Sequence, residues 1–172
     1  DRIGATLMRQ AGYDPVEAAK VWSNLTLEIK ARPDGSSVRN PMFATHPPPE
    51  DRQEALRRLA AEAAPGGITN QDTWHEKVRP FMRDWLADEV RRGQAEESVA
   101  LLTRMIASLP QRAEFRYARG EVYRLRAQGN DHDTALADYR AAIASGNEPA
   151  ETYRSLGAIY RLRNQIEDAR AC

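Results

Sequence analysis

One histidine in this chain stands where its imidazole would be presented rather than packed. His46 lies in Thr45-His46-Pro47-Pro48-Pro49-Glu50-Asp51-Arg52. Each proline lacks an N–H and biases the residue before it toward extended backbone, so His46 cannot sit inside a helix and rides on a stiff strut. A lone imidazole presented in this way serves proton transfer, metal ligation or a plain hydrogen bond to backbone. Glu50 and Asp51 follow at the start of a helix expected over residues 52–64, where the helix dipole favours negative charge. Arg52, six residues after His46, is a cation at the same place.

Other chemically able residues are less well partnered. Trp74-His75-Glu76-Lys77-Val78-Arg79 begins like HExxH, but Arg79 stands where the second histidine must be, so His75 and Glu76 read as a surface pair. His132, between Asp131 and Asp133, has no further ligands nearby in sequence and reads as solvent-facing. Arg112, Arg116 and Arg119 line one helical face, with Arg124, Arg126, Arg154, Arg161 and Arg163 on nearby helices. Guanidinium groups facing a groove grip carboxylates or a peptide terminus; the plainer alternative is a solvated, salt-bridged face.

Composition narrows the classes. With 172 residues the chain has room for one or two domains, and 25 Lys+Arg against 25 Asp+Glu gives no net pull toward nucleic acid or an anionic membrane. Cys172 is the one cysteine, which excludes an internal disulfide and a multi-cysteine metal site. No apolar run approaches the roughly 20 residues a membrane span needs. The first residues enter directly into a helical pattern and the last stop within one, so the sequence reads as a piece of a longer protein.

The elements are helical throughout. Ile3, Leu7 and Met8 share a face of the first helix, which Gly12 closes. Asp14-Pro15-Val16-Glu17 then has the form of a capping box opening a helix to about Ala31, with Ala18, Val21, Trp22, Leu25 and Ile29 as its buried stripe. Residues 32–49 lack periodicity and read as a long loop, mobile near Pro33–Ser37 and anchored by Met42 and Phe43. Ala55, Leu56, Leu59 and Ala63 form the apolar side of the next helix, and Pro65-Gly66-Gly67 breaks it. This predicts a first domain over residues 1–64, a linker over 65–74 and a second domain over 75–172.

The second domain carries a repeat. Gly120 and Gly157 stand 37 residues apart, each followed three residues later by a tyrosine, Tyr123 or Tyr160, against about 34 for a tetratricopeptide (TPR) repeat. The excess is assigned to an insertion at Asn130-Asp131-His132. Ala135, Tyr139 and Ala142 take the second-helix positions, and Ala169 begins the next one. Small residues mark places where paired helices come too close for a larger side chain. Trp85, Gly93 and Pro110 outline a degenerate first unit. Arg116 and Arg119 occupy positions that are usually apolar, so Phe115, Ala118 and Val122 are the alternative buried stripe.

Asp1-Arg2-Ile3-Gly4 through Asp14-Pro15, the tryptophan-bearing helix, and Thr45–Arg52 together resemble the end of the catalytic domain of HtpX-like zinc metallopeptidases. These are relatives of the prenyl-protein (CAAX) proteases, and the repeats make the chain most similar to bacterial envelope members with a C-terminal TPR domain. The resemblance implies an all-α fold, the end of a gluzincin-type helical domain followed by a TPR α-solenoid. It places Asp1 behind a zinc-ligand histidine, His46 as a loop ligand able to gate the metal, and Arg52 as an organiser of the cleft or of substrate. A helix-start arginine paired with a neighbouring acid is the plainer reading of Arg52. HExxH and the ligand glutamate would lie before residue 1, so zinc belongs to the parent protein and this chain is expected to bind none. By the same resemblance the repeats recruit protein or peptide partners, with Arg116, Arg119, Tyr123, Arg154 and Arg161 as candidates, in the periplasm or cell envelope. A non-catalytic TPR adaptor is the alternative.

Overall fold

The computed structural model describes residues 1–33, 47–62, 66–146 and 149–171. The described elements are helices: α1 (Arg2–Gln10), α2 (Val16–Lys30), α3 (Pro49–Ala61), α4 (Gln71–Arg91), α5 (Ala95–Ser108), α6 (Ala113–Arg126), α7 (Asp131–Ala144), α8 (Glu151–Leu162) and α9 (Ile166–Arg170). The fold is all-α. The chain divides into two compact units, Asp1–Arg79 and Pro80–Cys172, and the division falls inside α4. It does not follow the expected linker over 65–74.

In the first unit α3 packs against both α1 and α2. Ala5, Ala19 and Leu56 are buried at its centre, with Ala18, Trp22 and Leu59 packed around them. The expected stripe of α1 is on the wrong face: Ile3 and Leu7 are 78% and 59% exposed, and Ala5 is the residue turned inward. A methyl side chain lets two helices approach more closely than an isoleucine would, and here that approach selects the face. In α2 the inward residues are Ala19, Trp22 and Thr26, while Val21 lies exposed. The Thr26 hydroxyl donates to the Trp22 carbonyl at 2.8 Å, which satisfies a buried polar group within its own helix.

The N-cap of α2 is Pro15, one residue after the expected Asp14, whose Oδ1 still accepts from the first helical N–H, that of Val16, at 2.9 Å. Glu17 does not complete a capping box. The Asp14 N–H instead donates to the Ile68 carbonyl at 3.3 Å, and Glu17 pairs with Lys20 at 2.5 Å. The same segment explains the misplaced linker. Ile68 donates to the Gly12 carbonyl at 2.9 Å and forms a parallel bridge with Tyr13. A Cβ on Gly67 would fall 2.5 Å from the Asp14 nitrogen, so only glycine permits this backbone approach. The chain after α3 is thus tied back to the α1–α2 turn. Helix α3 itself starts at Pro49, with Pro at its first position and Glu50 and Asp51 in its first turn.

In the second unit helices adjacent in sequence pack on one another from α5 to α9, and α6 also meets α8. One core holds Leu86, Leu102, Ile106, Phe115, Ala118 and Val122. A second holds Ala135, Leu136, Tyr139, Leu156, Ile159 and Tyr160. The alternative stripe of α6 is therefore the one used. Trp85, placed by sequence as the aromatic of the first unit, is 49% exposed and stacks on Phe81, and Leu86 takes the inward position. A Cβ on Gly120 would lie 2.5 Å from a ring carbon of Tyr139, so the glycine is set by the approach of α6 to α7. The expected insertion is not a loop, since Asp131 and His132 already belong to α7. Ala169 lies within α9 rather than at its start.

Candidate functional site

The first unit brings together two residues that are 51 positions apart. Arg52, in the first turn of α3, donates from Nη2 to Asp1 Oδ1 at 2.7 Å, and its Nε donates to Asp1 Oδ2. The pair is bidentate, which fixes the direction of the carboxylate as well as its charge. The same guanidinium lies over the Trp22 ring, its central carbon 3.6 Å from the centroid. The side chains of Arg52 and Asp1 are 19% and 27% exposed, so water screens the pair only in part. The residue capping α1 supplies the acid, α2 the aromatic platform and α3 the cation. Trp22 is a core residue by its spacing and a mark of its helix by resemblance, and neither signals its membership of this cluster, which depends on contacts distant in sequence.

These residues orient; they do not by themselves perform acid–base chemistry. Among the described residues no group of three or more His, Cys, Asp or Glu is arranged to hold a metal ion. One carboxylate bonded to an arginine does not make a zinc centre, so the described residues do not form one by themselves. His46, the predicted gating ligand, lies outside the described residues.

The second unit carries a cleft of about 310 Å³ walled by α4 on one side and by α6 and α8 on the other. Its apolar surface comes from Leu86, Ala87, Val90, Ala118 and Pro149, with Tyr117 beside them. Arg83 and Arg91 line it from α4, Glu114 and Glu121 from α6, and Glu151 from α8. Arg83 and Glu151 form an ion pair. Behind this surface runs a polar network. Glu121 accepts from the Tyr139 hydroxyl at 2.5 Å and from Arg124 at 2.7 and 3.0 Å, and Ser155 also bonds to it. Burial opposes ionisation of Glu121, but these hydrogen bonds and the Arg124 charge outweigh it and hold the carboxyl below its usual range. Burial raises the Tyr139 hydroxyl, as does the neighbouring Glu121 charge, so it remains a donor.

Residues 1–60 match peptidase family M48. No curated protein and no solved structure matches the chain. The match covers α1, α2 and most of α3, and so contains the whole Asp1–Trp22–Arg52 cluster. It supports a metallopeptidase relationship for this segment and does not reach the second unit.

None of the five partner-binding candidates lines the cleft. Arg119 is committed elsewhere, with Asp138 at 2.7 and 2.8 Å and Thr103 at 2.9 Å. Tyr123 packs against the second core beneath the Arg126 guanidinium. Arg116 is half-buried, while Arg154 and Arg161 are exposed on α8. The cleft arginines, Arg83 and Arg91, escaped the sequence reading because the degenerate repeat places Trp85 inward, whereas Leu86 takes that position and sets the register of α4. Asp131, weighed as a flank of His132, is held by two bonds from Arg126 at 2.8 Å.

Proposed function

We propose that residues 1–60 are part of the catalytic domain of a zinc-dependent endopeptidase of the bacterial envelope, and that the second unit is a TPR-like array recruiting protein substrates or partners to it. The observation that carries this reading is the Asp1–Arg52 ion pair stacked on Trp22, inside the segment matched to peptidase family M48. Two residues assigned to the family's site by resemblance meet in space. In this reading the metal is held by residues outside the chain described here, and Asp1 and Arg52 fix the geometry of what abuts them. Loss of an orienting group behind a metal ligand typically costs about 10–100-fold in metal affinity or activity.

The test is the gene product that contains this sequence. It should carry HExxH before Asp1, bind about one zinc per chain, and cleave unfolded protein in a chelator-sensitive manner. The 172-residue chain alone should not cleave. Absence of the paired histidines would remove the peptidase reading and leave a TPR adaptor, which the packed helices and cleft of the second unit favour independently.

A further inference from the structure

The cleft of the second unit offers a ligand unequal charges. Two of its three carboxylates are engaged by groups outside the cleft: Glu121 by Tyr139, Arg124 and Ser155, and Glu114 by the Arg112 Nε at 2.5 Å. Neither Arg112 nor Arg124 lines the cleft, so both acids are held from behind. The arginines are held loosely. The Arg83 side chain is 74% exposed in its pair with Glu151, and Arg91 is 72% exposed in a one-turn pair with Asp88. The Arg91–Asp88 pair is exposed on both sides and is worth about 0–1 kcal/mol, so Arg91 can exchange its partner for a ligand carboxylate at small cost; Arg83 would leave Glu151, whose side chain is 27% exposed. Glu151, left behind by Arg83, lies in the first turn of α8, where the helix dipole stabilises its charge.

Spacing then sets the ligand. Arg83 and Arg91 lie eight residues apart on α4, about 12 Å along the helix axis. One carboxylate cannot bridge that distance, so a terminal carboxylate alone does not satisfy both. An extended peptide advances about 3.3 Å per residue and turns every second side chain to the same side. Acids four residues apart are therefore separated by about 13 Å, with the residue midway between them facing the same way. That residue would meet Leu86, Val90 and Ala118.

We propose that this cleft docks an extended internal protein segment with the pattern acid, any residue, apolar residue, any residue, acid, gripped by Arg83 and Arg91. The inference rests on the peptide-docking reading of the second unit and gives that reading a ligand class.

The probe is a fluorescein-labelled, C-terminally amidated peptide, Gly-Ser-Glu-Ser-Leu-Ser-Glu-Ser-Gly, titrated with the full chain by anisotropy. Versions with Gln or Lys in place of both glutamates, and one with the glutamates adjacent, are run beside it. The spaced-acid peptide should bind about tenfold tighter than the Gln version, and added salt should erase the difference. Arg83→Gln with Arg91→Gln, both on exposed side chains, should bring it to the Gln level without changing the helical circular dichroism. Equal binding of the Gln, Lys or adjacent-acid peptide, or an advantage surviving the double substitution, would overturn the ligand class and leave peptide docking standing. No binding by any peptide would overturn both. Dimerisation of the chain abolished by the same substitutions would overturn the proposal in favour of a second copy as occupant.

Discussion

Replacing Arg52 with lysine isolates what its geometry contributes, because the charge is kept. A lysine ammonium cannot make two parallel bonds to Asp1, and it has no plane to lay on Trp22. Charge-assisted hydrogen bonds are worth about 1.5–3 kcal/mol, and an exposed cation–π contact about 0.5–1 kcal/mol. With the two side chains 19% and 27% exposed, part of the first figure is lost to solvent. A loss of about 2 kcal/mol is expected, which raises a local opening constant about thirtyfold. The effect should appear in α1, because Asp1 opens that helix and Ala5 is its buried contact. Amide hydrogen exchange of the chain should therefore show residues 6–10 exchanging about thirtyfold faster in Arg52→Lys, with α6 and α7 unchanged. Trp22→Leu, which removes the ring and keeps an apolar contact, should accelerate the same amides less. Unchanged exchange in α1 would refute the view that this cluster fixes Asp1, whatever became of the rest of the unit.

Gly120→Ala gains about 0.5–1 kcal/mol of helix propensity but forces a methyl 2.5 Å from the Tyr139 ring, an overpacking cost of about 1–3 kcal/mol. A net loss of about 1–2 kcal/mol is expected in urea unfolding, and the same Gly120→Ala change should cost less when made in a Tyr139→Leu background. Asp138→Asn strips the charge from a buried partner of Arg119 and should destabilise the second unit by about 1–3 kcal/mol, measured the same way. The acid limb of stability should follow Asp131 and Glu121. Arg126 holds the Asp131 carboxyl below its usual range, against burial, and Glu121 is likewise depressed. In both cases the unfolded chain binds the proton more tightly than the folded one. Their contribution is thus complete above the ordinary carboxylate range and lost as pH falls through the folded values. Melting temperature should drop below about pH 4.5, and Asp131→Asn should flatten that slope.

Much of this was written locally in the sequence. Asp14 before Pro15, the acids opening α3, and the paired small and aromatic residues of α6 and α8 act within a turn or two, so their helices could be placed. The face of α1 could not, because Ile3 and Leu7 out-rank Ala5 in hydropathy while the closeness of α3 chooses the alanine. The tie between Gly12 and Ile68 is a contact 56 residues long and looked like a linker for that reason. At the site, Asp1 and Arg52 were nameable from motifs, but their pairing and the Trp22 platform exist only after three helices have met. Arg83 and Arg91 acquired meaning only once α6 and α8 supplied the opposite wall.

Helix α6 gives Phe115, Ala118 and Val122 to one core and lays Tyr117 and Tyr123 against the other. Neither cluster can dissolve while its neighbour stays intact, since both rest on the same fourteen-residue rod. Helix stacks whose parts each own their interior fray from the ends; this unit should melt in a single step. A protease cut within α6 would abolish both halves together, while one in the α8–α9 turn would trim the unit and spare the remainder.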